Sequence, residues 1–355
     1  MIDSLAFLAG RVEAALAQFL KERSAALAEI GSDLDPMAEA ACRFILDGGK
    51  RLRPMFAYWA WRACAPAADD DASILWAASS LELLHGCALV HDDVMDDSAT
   101  RRGQPSAHAA FAGMHAENGY RGDPRVFGTA AAILLGDLLL SWSDSMFAAA
   151  GFDPHAARRT RQVYDEMRQL VMAGQYLDVL VQARGNFDVG DALRVITYKT
   201  SKYTVEGPLL LGAAAADASA ELTAALSACG LSLGEAFQLR DDVLGVYGDS
   251  SRTGKPAGDD LREGKRTVLM ALAMQHADPA QAATLRGELG NDDLDQNRID
   301  AVRQIIVDTG ALDQVEQRIA LRTDDALAAL KVPGMAPEAR VVLERLALAA
   351  TQRQT

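Results

Sequence analysis

Residues 81–105 read LELLHGCALVHDDVMDDSATRRGQP, an apolar helix that runs into acid and then, across a short turn, meets two arginines and a glycine. On a helix of about 3.6 residues per turn, Leu81, Leu84, His85, Ala88, Asp92 and Asp96 fall on or near one face. The carboxylates of Asp92 and Asp96 stack one turn apart, with Asp93 beside them. Stacked like charges destabilise a helix, and a helix C-terminus, already partly negative, is a poor place for them. A cation must offset that cost. Carboxylates are hard oxygen ligands, which Mg²⁺ takes one or two at a time together with waters and substrate phosphates. Arg101 and Arg102 follow, with the fork geometry that suits phosphate oxygens. The stretch predicts a metal–diphosphate site.

Two other stretches extend this pattern. Upstream, DGGKRLRP (47–54) sets two turn-forming glycines beside Lys50, Arg51 and Arg53, ahead of a helix opened by Pro54. Downstream, a helix predicted over Leu222–Tyr247 ends LGEAFQLRDDVLGVY, where Gln238, Asp241, Asp242 and Gly245 repeat the four-residue step. A Gly- and charge-rich loop, 250–267, follows; it is longer than most connections and so reads as functional. Singly, each feature has a plain explanation: a solvated acidic helix end, a basic C-cap, a core histidine at position 85. Their joint occurrence does not.

Half of the 355 residues are apolar, and helical spacing dominates over strand-like alternation. Helices are expected over 4–30, 37–46, 55–65, 72–96, 125–149, from Pro154 to about Val181, and over 188–203, with Pro208 marking a break. The net charge of −14 argues against nucleic-acid partners and anionic membrane surfaces, which want a basic face. An acidic chain that handles an anion must recruit metal or concentrate its few cations. Cys42, Cys64, Cys87 and Cys229 are scattered without metal-ligand spacing, so reduced thiols and a cytoplasmic location are expected. The N-terminus lacks signal-peptide character, and the longest apolar runs are read as too short to span a bilayer. With no linker or repeat, the chain reads as one all-α domain over 1–355. Its catalytic core is expected at about 37–275, and its C-terminal helices at 279–352 as scaffold.

GGKRLRP (48–54), the 81–105 stretch, YKT (198–200), QLRDD (238–242) and GKPAGDDLREGKRT (254–267) together closely resemble the all-trans isoprenyl diphosphate synthases, the polyprenyl synthetase family. The resemblance implies an all-helical bundle around a deep central cavity, a homodimer, and a geranylgeranyl diphosphate synthase-like activity on isopentenyl and allylic diphosphates. By position, it assigns Asp92, Asp93 and Asp96 to two Mg²⁺ ions, and Asp241 and Asp242 to a third. Lys50, Arg53, His85 and Arg102 match the isopentenyl diphosphate grip. Arg101, Lys199, Thr200, Gln238, Lys255 and Lys265 match contacts to the allylic diphosphate. Arg51 matches no such role and is expected as a solvated charge. One departure stands out: the second motif commonly ends in Asp where this chain has Gly245, which leaves Asp249 as the candidate substitute.

The chemistry fits these residues independently. Ionising an allylic diphosphate needs dense positive charge at the leaving oxygens, and no Ser, Cys or His nucleophile is arranged for another route. A tail running down the first acidic helix passes the small Ala88 and Cys87, with Leu84 and Leu81 as a softer floor, so a C20 product is expected. Farnesyl or longer polyprenyl diphosphates are the alternatives. A non-catalytic regulatory subunit and a class I terpene cyclase are the rivals, and both fit the intact basic grip less well.

Overall fold

The computed structural model describes residues 2–248, 258–291 and 293–352. The described chain is helical apart from one hairpin with two-residue strands, Thr100–Arg101 and Gln104–Pro105. It gathers into two compact units, Met1–Thr160 with Leu211–Asp217, and Arg161–Leu210 with Ala218–Thr355.

The first unit is built on α1 (Ile2–Ala28), α2 (Asp35–Leu46), α3 (Leu52–Cys64), α4 (Ala72–Met95), α5 (Ala107–Glu117) and α6 (Pro124–Ala148). Its axis is α4, where Leu81, Leu83, Leu84, Val90 and even Glu82 and Asp93 are buried. A helix apolar all round has no solvent face to keep and must sit inside its neighbours. Glycines set how close those neighbours come. A Cβ on Gly136 of α6 would lie 2.1 Å from Nε2 of His91, and one on Gly86 of α4 would lie 2.5 Å from Cδ1 of Ile45 in α2. At the other end of α4, Arg11 donates to both oxygens of Asp71 (2.7 and 2.6 Å), and the Tyr58 hydroxyl donates to the same carboxylate at 2.6 Å. This ties α1 and α3 to the start of α4.

Both α4 and α6 are long and apolar enough to cross a membrane, which corrects the reading that no apolar run reaches that length. The first is largely enclosed by its own unit. The second leaves Val126, Phe127, Ile133 and Leu134 exposed.

The second unit takes most of α7 (Pro154–Arg184), then α8 (Val189–Val195), and a π-helical segment, Ile196–Glu206, leading into α9 (Gly207–Ala215), whose later residues belong to the first unit. The predicted break at Pro208 does not occur: the chain passes straight from the π segment into α9, with Pro208 as its second residue. α10 (Ala220–Tyr247) opens with Ser219 as N-cap, its side chain accepting from the Leu222 N–H. Ala236, Leu239, Val243 and Val246 of α10 form one stripe, packed in a core shared with Val268, Leu269, Ile299, Val302, Val315 and Ile319 of the C-terminal helices. Burying one such Leu or Ile contributes about 1.5–3 kcal/mol. The stripe leaves Gln238, Asp241 and Gly245 on the opposite side of the helix, about 100° per residue.

Candidate active site

Along α4, Asp92 and Asp96 share a face with His85 and Ala88, whereas Asp93 is turned about 100° away, onto the face of Glu82 and Gly86. Asp93 is therefore wholly buried. Nε of Arg101 donates to its two oxygens at 2.9 and 3.2 Å, and Nη2 of Arg101 makes a further bond to Oδ1. The same Nη2 lies 3.7 Å from Oδ2 of Asp92. The hairpin delivers Arg101 to this position. Its two turn residues, Arg102 (φ 53°) and Gly103 (φ 74°), are both left-handed, as a two-residue turn matched to the twist of the strands requires. Asp93 and Arg101, expected on metal and on diphosphate, here hold each other.

The basic corner is built on left-handed backbone at Gly48 (φ 89°), Gly49 (φ 109°) and Arg51 (φ 50°). Lys50 is exposed and Arg53 half-buried. Arg102 reaches back to this loop, its Nη1 donating to the Asp47 carbonyl at 3.1 Å. Arg51 is not the solvated charge expected from sequence. It is 3% exposed, and its Nη1 donates to Oε2 of Glu82 at 2.9 Å. His85 is held well below the usual histidine range, by removal from water first and then by Arg53, Arg102, Arg101 and Arg51. It enters the site as a neutral imidazole.

In the second unit the π segment carries Lys199 and Thr200. Nζ of Lys199 donates to Asp178 at 2.6 Å. The Thr200 hydroxyl donates to Oε1 of Gln238 at 2.7 Å, and Nε2 of Gln238 donates to Oδ1 of Asp242 at 2.8 Å. Two glycines let the wide π turns come close: a Cβ on Gly174 would lie 2.3 Å from the Lys199 nitrogen, and one on Gly234 would lie 2.4 Å from Cα of Ser201. Asp242 is 5% exposed and pushed up to about 8, by burial first, with Asp260 and Asp241 adding to it against the opposing hydrogen bond from Gln238 and the charge of Lys265. Nζ of Lys265 lies 3.5 Å from Asp260 and 2.5 Å from Glu263. At Gly245 a Cβ would sit 1.8 Å from Oδ2 of Asp260. The gap in the second motif is thus filled by a carboxylate from fifteen residues on; Asp249 and Lys255 lie outside the described residues.

The donor set suits a hard divalent cation. Every acid at the two helix ends is a carboxylate, and among the described residues no three His, Cys, Asp or Glu side chains converge into a ready-made cage. One or two carboxylates with waters and phosphates, rather than an all-protein cage, are how Mg²⁺ is usually held. The crowding of Asp242 by Asp241 and Asp260 is the like-charge repulsion such an ion relieves.

The candidate chain-length residues separate. Cys87 turns toward α6, its Sγ 3.7 Å from Nδ1 of His91, whose Nε2 lies 3.1 Å from the Ile133 carbonyl. Burial pushes the Cys87 thiol up to about 12. Ala88 is half-buried on the Asp92 face, while Leu84 and Leu81 are 2% and 0% exposed.

Three partners escaped the sequence reading: Glu82, Asp178 and Asp260. Glu82 left a signal, a single carboxylate inside the apolar run LELLHGCALV. Asp178 left the same kind of signal, a lone carboxylate in YLDVLV (176–181), whereas Asp260 sits among other charges in GDDLREGKR and gave none.

A family model described as polyprenyl synthetase matches residues 35–306. The geranylfarnesyl diphosphate synthase of Aeropyrum pernix is 34% identical over 316 residues, covering 88% of this chain and 92% of its own. The octaprenyl diphosphate synthase of Escherichia coli is 31% identical, covering 87% and 88%. A solved geranylgeranyl pyrophosphate synthase from Corynebacterium glutamicum, in complex with isoprenyl diphosphate and magnesium, superposes with a TM-score of 0.94 at 41% identity, covering 97% of this chain and 98% of its own.

Proposed function

Because the chain belongs to the polyprenyl synthetase family and is a trans-prenyltransferase, we propose that it condenses isopentenyl diphosphate with an allylic diphosphate to make geranylgeranyl diphosphate. The observation that carries the product length is Ala88: a small side chain one turn from Asp92 on the same helix face, with the buried Leu84 and Leu81 beyond it. A Corynebacterium relative with that product supports the reading, while the Aeropyrum and Escherichia relatives make longer chains.

In this reading Lys50, Arg53, His85 and Arg102 bind isopentenyl diphosphate. Neutral His85 donates or accepts a hydrogen bond without adding to a corner already dense in cations. Arg101, Lys199, Thr200, Gln238, Lys255 and Lys265 orient the allylic diphosphate. Asp92, Asp93 and Asp96, with Asp241 and Asp242, would hold Mg²⁺, about three ions in all, which when bound offset the charge of the leaving diphosphate. In this reading the chain's own cations stabilise the charge that develops on the leaving oxygens as the allylic C–O bond breaks. The isopentenyl double bond then attacks the allylic carbon, and the proton lost afterwards passes to the departing pyrophosphate. Besides that metal role, Asp93 fixes Arg101, and Asp242 accepts from Gln238, which in turn accepts from Thr200.

The whole chain works as one catalytic domain, its C-terminal helices holding the back of α10. The exposed apolar side of α6 is covered by a second copy, giving a homodimer in the cytoplasm rather than a membrane span.

Purified protein, incubated with Mg²⁺, labelled isopentenyl diphosphate and each of the C5, C10 and C15 allylic primers, is expected to give C20 product, and EDTA to abolish turnover. A product ending at C15, or extending well past C20, overturns the length assignment. Ala88→Phe should shorten the product and Cys87→Phe should not, because only position 88 shares the Asp92 face.

A further inference from the structure

Arg51 and Glu82 take no part in the reaction above, yet both are buried, at 3% and 5% exposure, in the middle of its basic corner. Besides its 2.9 Å bond to Glu82, Arg51 donates from Nη2 to the Ile45 carbonyl at 2.8 Å. One guanidinium thus ties the last turn of α2 to the middle of α4. Arg51 itself sits in the connection between α2 and α3, at φ 50°. A non-glycine residue stays in that region only where its surroundings over-determine it, and the anchored side chain does so here. The anchor also shapes the loop: a Cβ on Gly49 would touch Nη1 of Arg51 at 3.4 Å and Nη2 of Arg102 at 3.5 Å, so the two guanidinium groups close on the glycine backbone. Lys50 and Arg53 flank this fixed point, one residue before it and two after.

We propose that the buried Arg51–Glu82 pair is a positioning device that holds the 48–53 loop so that Lys50 and Arg53 meet a diphosphate as a preformed corner. This rests on the prenyltransferase reading of that corner. Charge supports it as well. Arg51, Arg53, Arg101 and Arg102 all bear on His85 as like charges. Glu82 neutralises the one that points inward.

The chemistry of buried pairs supplies the test. Removing one partner strands a charge and unfolds proteins, whereas replacing both with apolar groups of similar size is often neutral for stability. The double variant Arg51→Met with Glu82→Leu therefore removes the anchor without a stranded charge. Its melting temperature should stay near that of the wild type, while KM for isopentenyl diphosphate rises roughly tenfold or more, the scale on which small misplacements act. KM for the allylic primer and kcat at saturating isopentenyl diphosphate should stay within about twofold. Arg51→Lys should fall between. An unchanged KM for isopentenyl diphosphate in the folded double variant, or an equal rise for both substrates, overturns the proposal. Calorimetric binding of inorganic pyrophosphate reads the same corner without turnover. If the wild type makes no prenyl product, the functional reading fails, yet weaker pyrophosphate binding by the double variant still upholds the anchor and equal binding still sinks it.

Discussion

At the end of α4, Asp93 is wholly buried against the guanidinium of Arg101; at the end of α10, Asp242 is nearly as buried but accepts from the amide of Gln238, with Lys265 as a weaker counter-charge. The sequences are near repeats, HDDVMD and RDDVLG, yet the two ends treat their second acid oppositely. A forked, charge-assisted pair compensates a buried carboxylate, whereas an amide brings no charge. Two further acids, Asp241 and Asp260, crowd Asp242 as well. The first end thus gives its buried acid a charged partner at hydrogen-bond distance, and the second leaves its buried acid crowded by like charge.

The comparison breaks most visibly in turnover. Asp92→Ala and Asp241→Ala remove the more open acid from each end, and each should lower kcat by roughly 10²–10³-fold or more if both serve the departing diphosphate. Steady-state kinetics with each variant reads this. A large loss at one end and none at the other would show that only one helix end carries the chemistry.

Stability separates the buried acids. Asp93→Asn leaves Arg101 facing an amide and should cost about 3–5 kcal/mol, as breaking a buried ion pair does. Asp242→Asn in metal-free protein keeps the bond to Gln238 and relieves crowding, so its change should stay within about 1 kcal/mol or favour the variant. Urea unfolding of both checks the contrast, and equal losses would dissolve it.

Much of this was legible in residues 81–105, where helical spacing and the placement of acid and arginine give α4, its end and its site face. One helix start was likewise readable from its chemical marker, Asp153–Pro154, where Oδ1 of Asp153 accepts from the His155 and Ala156 N–H groups, whereas Pro54 does not open its helix, which begins at Leu52. What escaped depends on partners far along the chain. Arg51 looks like one more cation in a glycine loop, and only Glu82, thirty-one residues on, makes it buried. The π segment has an ordinary helical composition; its wider turns go with the close approach of Gly174 and Gly234 from α7 and α10. Gly245 reads as a lost acid until Asp260 is found against it.

That last contact yields a smaller and counter-intuitive effect. Gly245→Asp restores the acidic pattern on paper, but its Cβ would fall 1.8 Å from a carboxylate oxygen already there. Overpacking of this kind costs about 1–3 kcal/mol, and the added charge repels Asp260. The variant should melt lower and show a weaker Mg²⁺-induced thermal shift than wild type, and adding Asp260→Gly should recover the melting temperature. A stronger shift in Gly245→Asp alone would mean that the position was open after all.

The gentlest probe is pH, because one group changes stability by at most about 1.4 kcal/mol per pH unit. In metal-free protein Asp242 titrates near 8, above the 3.8 of an ordinary aspartate, so its ionisation opposes folding. The penalty is absent below about pH 4, grows as pH rises, and levels off above about 8. Asp71, held near 2 chiefly by its bond from Arg11, behaves oppositely: its contribution, about 2 kcal/mol, is present above about pH 4 and lost as pH falls through about 2. Asp242→Asn should therefore gain on wild type as pH rises from about 4 to 8, while the deficit of Asp71→Asn should close between about pH 4 and 2. Mg²⁺ should flatten the first profile and leave the second unmoved. A flat Asp242 profile without metal would mean that Lys265 and Gln238 compensate this acid as fully as Arg101 compensates Asp93, and that the two helix ends are alike.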